Sequence, residues 1–380
     1  MTKQRLIIAF TLFSLVAGTL LFYKAYQLDS NEFTWQLPQG IPAPPIPANN
    51  PMNKAKVELG RHLFYDTRLS VNKQISCATC HLQSKAFTDG KQFSSGAQGH
   101  PTPRNAMSLT NVGYNPNFTW ANPLMTQLEH QARVPLFGDN PIEMGLAGHE
   151  EVALFNIAAD PIYQKLFPKA FDEPKPYNFV NIIKAISAFE RTLNSFNSPY
   201  DKYLRGENPQ YGESEKRGME IFFSEQGECF HCHGGFNFTD SSVHENAPNA
   251  PNRFHNNGLY NIDGLGGYPK SDRGLFDMTS SKKDMGKFKA PTLRNIAVTA
   301  PYMHDGSLKT LEDVVDHYIA GGTNIAEGPN KGFGVISPLK SEFVPGLDIS
   351  PQQRADLINF LHSLTDNEFL NDPKLSDPWK

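Results

Sequence analysis

The order Cys-x-x-Cys-His occurs twice in this 380-residue chain, at Cys77-Ala78-Thr79-Cys80-His81 and at Cys229-Phe230-His231-Cys232-His233, and these four cysteines are all it has. Two thiols three positions apart can each add across a haem vinyl group. The next residue then offers an imidazole to the iron from the same side. A four-cysteine zinc site would need no His after each second Cys, and a redox Cys-x-x-Cys would need no repeat. The motifs therefore predict two covalent haem c groups, bound through Cys77, Cys80 and His81 and through Cys229, Cys232 and His233. A haem supplies a large apolar core, so a loop-rich chain can be ordered around it. The expected fold is mainly α, with two c-type cytochrome domains.

A net charge of −4 gives no reason to expect a nucleic-acid partner, and the basic stretch Lys282-Lys283, Lys287, Lys289 is too short to form a phosphate-binding face. At the N-terminus, Lys3 and Arg5 precede an uncharged, mostly apolar run from Leu6 to Tyr23. As a helix it would reach roughly 27 Å, close to the thickness of a bilayer core. Residues 1–26 are thus a signal peptide or a membrane anchor, with the missing small-x-small cleavage site favouring an anchor that meets the membrane. Residues 27–52 follow as a Pro-rich, stiff spacer.

The approaches to the two motifs resemble one another. Gly60-Arg-His-Leu-Phe64 and Gly218-Met-Glu-Ile-Phe222 both place a glycine and a ring one helical turn apart on one face. Glycine weakens a helix, so here it predicts close packing against a later crossing helix. Phe179, Ile182, Ile183, Ile186, Phe189 and Leu193 supply one such helix by their spacing. Leu357, Phe360, Leu361 and Leu364, after the start signal Ser350-Pro351, supply the other. The division is expected between Asn197 and Gly212, giving domains over 53–200 and 201–380.

Ala290-Pro-Thr-Leu-Arg294-Asn and Thr299-Ala-Pro301-Tyr-Met-His304-Asp-Gly306-Ser resemble the second domain of the bacterial di-haem cytochrome c peroxidase/MauG family. Leu128-Glu-His-Gln131-Ala-Arg-Val-Pro135 and Pro141-Ile-Glu143-Met-Gly145 resemble its first domain. Phe33-Thr-Trp-Gln-Leu-Pro and Phe118-Thr-Trp120-Ala-Asn-Pro are similar to the branch of methanobactin-associated, MbnH-type enzymes. The resemblance implies export to the periplasm, hydrogen peroxide as oxidant, a peroxidatic first haem with His81 as proximal ligand, and an electron-storing second haem with His233.

It also implies the remaining site residues. Gln131, Pro135 and Glu143 match the distal pocket of the first haem, with two extra residues between Gln131 and Glu143. A carboxylate beside bound peroxide can move a proton from the inner to the outer oxygen. Where some relatives carry a switchable His ligand this chain has Ala97, with His100 three residues on, so the first iron is expected to be open or water-bound. Trp120 matches the tryptophan between the haems. Asn105, Thr299 and Pro301 match the ligands of a calcium ion. For the second iron's sixth position Met303, His304, His317 and Tyr318 are all near, and the family's matching position is Tyr318. Helix phase sets His317 and Tyr318 about 100° apart, so both cannot face one iron. Tyrosine at this position is MauG-like, whereas a methionine marks the peroxidases; a hard phenolate favours oxidised iron and a thioether favours ferrous iron.

The resemblance thus implies a peroxide-dependent oxidase acting on a Trp or Tyr of a partner protein. The alternatives are a peroxidase fed by small redox proteins and a simple electron carrier. MauG's exit tryptophan is replaced by Gly227 and Glu228, so an electron path would need another relay, such as Tyr203 or Tyr211.

Overall fold

A computed structural model describes residues 31–250 and 253–380 of the chain. The expected signal or anchor segment lies outside the described residues, and among those described no helix is long and apolar enough to cross a membrane.

The first half holds α1 (Lys54–Phe64), the single turn α2 (Cys77–Cys80), α3 (Leu128–Gln131), α4 (Arg133–Phe137), α5 (Glu150–Ala158), α6 (Pro161–Ala170) and α7 (Phe179–Glu190). The second holds α8 (Pro199–Leu204), α9 (Glu213–Phe222), α10 (Phe230–His233), α11 (Phe276–Thr279), α12 (Leu311–Ala320), α13 (Pro351–His362) and α14 (Asn367–Asn371). The one described sheet is a two-stranded antiparallel pair, β1 (Asn324–Ile325) with β2 (Gly332–Phe333), in which Asn324 faces Phe333. The architecture is helical and loop-rich, as the haem motifs predict.

Each half is built on one helix crossing, and the glycines are why it can form. A Cβ on Gly60 would overlap the Ala185 carbonyl oxygen and come within 2.9 Å of Phe189 Cβ, so α1 lies backbone-close on α7. Gly218 of α9 has the same relation to α13: a Cβ there would overlap the Asp356 carbonyl oxygen and approach Phe360 Cβ to 2.8 Å. The rings one turn along, Phe64 and Phe222, are almost wholly buried. They close cores that include Ile182, Ile186 and Phe189 in the first half and Leu357, Phe360 and Leu361 in the second. Side-chain caps start the crossing helices: Asn178 accepts from Asn181 N, and Ser350 with Gln353 forms a capping box ahead of Pro351.

Two segments depart from the expected division. The stretch over 37–51 is laid along the body instead of holding it at a distance. Tyr114 donates to the Pro42 carbonyl at 2.8 Å, Ala43 N donates to Glu245 Oε1 at 3.1 Å, and Asn50 Nδ2 donates to Glu129 Oε1 at 2.7 Å. Proline lacks an N–H, so this stretch stays extended and engages largely through its carbonyls and flanking residues. The C-terminal tail returns to the first half: Phe369, Leu370 and Leu375 join its core, and Tyr65 and Arg61 donate to the Leu375 and Ser376 carbonyls.

Candidate functional site

Both Cys-x-x-Cys-His motifs fold as a single helical turn, with His81 N donating to the Cys77 carbonyl at 3.0 Å and His233 N to the Cys229 carbonyl at 2.9 Å. No disulfide joins any of the four cysteines. Burial pushes the Cys77 and Cys80 thiols up, and Cys229 to about 12. Among the described residues no cysteine belongs to a convergent group of three metal-ligating side chains, which disfavours a four-cysteine zinc site.

The two imidazoles are oriented alike. His81 Nδ1 lies 2.7 Å from the Phe87 carbonyl, and His233 Nδ1 lies 3.2 Å from Phe238 O and 3.1 Å from Pro291 O. Only a protonated Nδ1 satisfies a carbonyl, so the Nε2 lone pair of each ring remains for a metal. The acceptor residues reach this position because Phe87 (φ 60°) and Phe238 (φ 50°) both take the left-handed conformation. A pair of thiols beside a tautomer-fixed imidazole is a donor set that fits covalent haem.

Around the second motif opens a mainly apolar cavity enclosing about 1650 Å³ of empty space, its mouth included. Cys229, Cys232, His233, Phe222 and Leu361 line it, with Trp120 and Tyr318. Helix α12 delivers Tyr318: a Thr310–Asp313 capping box starts it and Gly321, at φ 75°, ends it. Burial, then the Cys232 thiol, push the Tyr318 hydroxyl above the ordinary phenol range, against a hydrogen bond from the Asn257 side chain. His317 turns away. Its Nδ1 meets Thr323 Oγ1 at 2.7 Å and its Nε2 meets the Asn257 carbonyl at 3.1 Å. Met303 and His304 line the cavity too, His304 stacked on Phe288 at 3.7 Å.

Trp120 lies on the cavity's wall, its indole N–H donating to the Asn105 carbonyl at 2.9 Å and its own carbonyl accepting from Lys289 N at 2.8 Å. Asn105 is joined to the 301–304 segment through Asn105 N and the His304 carbonyl, 2.8 Å apart. Asn105, Thr299 and Pro301 all line the cavity.

Glu143 lies within electrostatic range of the first motif's Cys77 and Cys80 thiols. Burial raises the Glu143 carboxyl above the usual range. Its position is set on both sides: Met144 N donates to the Pro135 carbonyl at 2.8 Å, and Ala97 N to the Glu143 carbonyl at 2.6 Å. Gly96 lies so close to Ile142 and Glu143 that a side chain there would collide with their backbone. Gln131 ends α3 directly before α4, which carries Pro135, so these two residues share one short stretch. His100 is exposed.

Sequence reasoning missed the anchors. Glu129, two residues before Gln131, is buried and bridged to Arg191 of the α7 C-terminus at 2.8 Å. Lys289 is buried behind Trp120 and donates to the Asn117 carbonyl at 2.8 Å. Glu129 precedes Gln131 in the motif itself, which was a signal; Lys289 read as part of a solvated basic stretch.

The model of the di-haem cytochrome c peroxidase family matches residues 54–209. The methylamine utilization protein MauG of Methylorubrum extorquens is 34% identical over 320 residues, covering 84% of this chain and 81% of that one. The cytochrome c peroxidase Ccp of Escherichia coli is 31% identical over 85% of this chain and 61% of its own. Among solved structures, a MauG-like protein associated with microbial copper homeostasis is 49% identical, with a TM-score of 0.90 over 92% of this chain and all of that one. The di-haem peroxidase BthA of Burkholderia thailandensis, 22% identical with a TM-score of 0.66, shares the fold. The repeated haem motifs, the paired helix crossings and these likenesses together make the chain a member of the di-haem cytochrome c peroxidase/MauG family, a haem peroxidase-type oxidoreductase.

Proposed function

We propose that this protein is a periplasmic, peroxide-dependent oxidase that stores oxidising equivalents on two covalently attached haems and uses them to oxidise a Trp or Tyr of a partner protein. The observation that carries the reading is Tyr318 on the wall of the second cavity while both nitrogens of His317 are engaged elsewhere. When bound, the haems supply the redox chemistry, their irons each able to give up an electron to hydrogen peroxide.

The chain's own residues do the rest. His81 and His233 would hold the irons, and the paired cysteines would fix each porphyrin. The Tyr318 hydroxyl keeps its proton in an apolar site unless a cation faces it, so phenolate formation is tied to metal binding. Glu143, protonated more readily than an exposed acid, moves a proton between the peroxide oxygens while Gln131 and Pro135 shape the pocket. Peroxide takes two electrons and two protons to become two waters, and the partner's side chain restores the electrons. Trp120 relays charge between the halves. Asn105, Thr299 and Pro301 would offer oxygen ligands to a calcium ion. The two haem-binding halves divide near residue 200, and residues 1–26 export or anchor the chain. The likeness to a protein tied to copper homeostasis supports a copper-handling partner.

A second reading, peroxide removal with electrons from small redox proteins, is favoured by the Met303 sulfur in the same cavity. Stoichiometric peroxide added to the ferric protein separates the two. Both ferric EPR signals should vanish together and return slowly, and Tyr318→Phe should abolish this behaviour with both haems still attached. Prompt return, driven by a reduced c-type cytochrome, would favour the second reading. A Tyr318→Phe protein with an unchanged second-haem EPR signal would overturn the first.

A further inference from the structure

We propose that Asn257 selects the ligand of the second haem, holding Met303 and His317 out of the sixth position so that Tyr318 takes it. The inference rests on the reading of the large cavity as the second haem's site.

Four side chains with donor atoms stand at or beside that cavity, and three of them can bind iron better than a neutral phenol. His304 is accounted for by its stack on Phe288 and by Asp272 Oδ2, 3.9 Å from its Nε2. The other two are held by Asn257. The side-chain amide Nδ2 donates to Met303 Sδ at 3.3 Å, engaging one of the thioether's two lone pairs and fixing where the sulfur sits. The backbone carbonyl accepts from His317 Nε2 at 3.1 Å, while Thr323 Oγ1–H occupies His317 Nδ1. A neutral imidazole donating from one nitrogen and accepting at the other has no lone pair left. The Asn257 side chain is also near enough to the Tyr318 hydroxyl to favour its ionised form, which leaves that oxygen able to bind a metal.

Asn257 cannot drift from this position. His255 and Phe288 exchange backbone hydrogen bonds of 2.8 and 2.9 Å, and Thr323 N donates to the Gly258 carbonyl at 3.0 Å. One residue between these ties thus touches all three remaining contenders. Each contact is modest, but selection depends on the difference between ligands, and weakening two competitors decides it.

Asn257→Leu removes the amide while leaving the backbone carbonyl on His317, so Met303 is the ligand released. Asn257→Asp keeps the size and replaces the donor by an acceptor, which releases Met303 as well should the leucine variant not be obtained. In purified protein with both haems attached, either variant should lose the wild-type second-haem EPR signal, gain a sulfur-to-iron charge-transfer band at the red end of the ferric spectrum, and shift that haem's potential upward. Adding Met303→Leu should remove the band, and Met303→Leu alone should look wild type. Asn257 variants that keep the wild-type EPR signal and potential would overturn the proposal. A sulfur-to-iron band already present in the wild type would instead overturn the Tyr318 assignment beneath it.

Discussion

In the first half α1 crosses α7 at Gly60, and in the second α9 crosses α13 at Gly218, with the same ring one turn along and the same collision awaiting a Cβ. Each half also buries one arginine–carboxylate pair, Arg191 with Glu129 and Arg294 with Asp201, both at 2.8 Å. Each fixes its histidine by a carbonyl from a left-handed phenylalanine. The scaffolds are therefore repeats, and the differences lie in what is aimed at the cofactor. The first half presents a buried acid, Glu143, on loops stitched by Pro135 and Ala97. The second presents a phenol on a capped helix, with its rivals tied down. The clamp is common to both halves, and the differing groups lie in the segments that follow it.

The comparison can be broken or sharpened by experiment. The largest effect should come from Glu143→Gln, which removes the acid of the first half only. The peroxide reaction should slow about 10²- to 10⁴-fold in stopped-flow absorbance while the second haem's EPR signal stays as it was. Glu129→Gln and Asp201→Asn each leave a buried arginine without its charge partner. Each should cost about 3–5 kcal/mol in denaturant unfolding, but only Glu129→Gln should also impair the peroxide reaction, because it anchors the helix ending at Gln131. Gly60→Ala and Gly218→Ala force a crossing apart and should cost about 1–3 kcal/mol each. Their signatures should be opposite, with Gly60→Ala disturbing the first haem's spectrum and Gly218→Ala the second's.

The smallest effect separates the halves by sign. Burial lifts the Glu190 carboxyl from 4.5 to about 8, with Arg191 opposing and Glu129 adding to the lift. Between those values the folded state binds more protons than the unfolded one, so this group's stability contribution falls as pH rises from 4.5 to 8. Burial lowers the Lys289 ammonium from 10.5 to about 7. There the unfolded state binds more protons, so stability rises with pH between 7 and 10.5. Urea titrations across pH should show Glu190→Gln flattening the lower window and Lys289→Met the upper, each on the order of 1 kcal/mol once relaxation and water penetration are allowed for.

How much of this was legible follows from where the contacts lie. Gly60, Gly218 and the apolar stripes announced the crossings because helix geometry makes local spacing a statement about faces. Thr310 with Asp313 and Gly321 bound the helix carrying Tyr318 by equally local cap geometry. Helix phase said that His317 and Tyr318 could not both face an iron, but not which would. The answer depends on Thr323 and on the Asn257 carbonyl, sixty residues away in sequence. The return of the tail was equally hidden. Tyr65 and Gln83 bind the Leu375, Phe369 and Asp372 carbonyls, and a carbonyl is offered by every residue type.

That returning tail sets an order on biogenesis. Phe369 packs on Phe87, whose carbonyl holds His81, and Leu370 and Leu375 complete the same core. During synthesis the first haem-binding half emerges well before the residues that close it. Until Phe369, Leu370 and Leu375 have been made, the core beside the Cys77–Cys80 turn is incomplete. The second half, whose core lies within residues 200–364, can close earlier than its place in the sequence suggests.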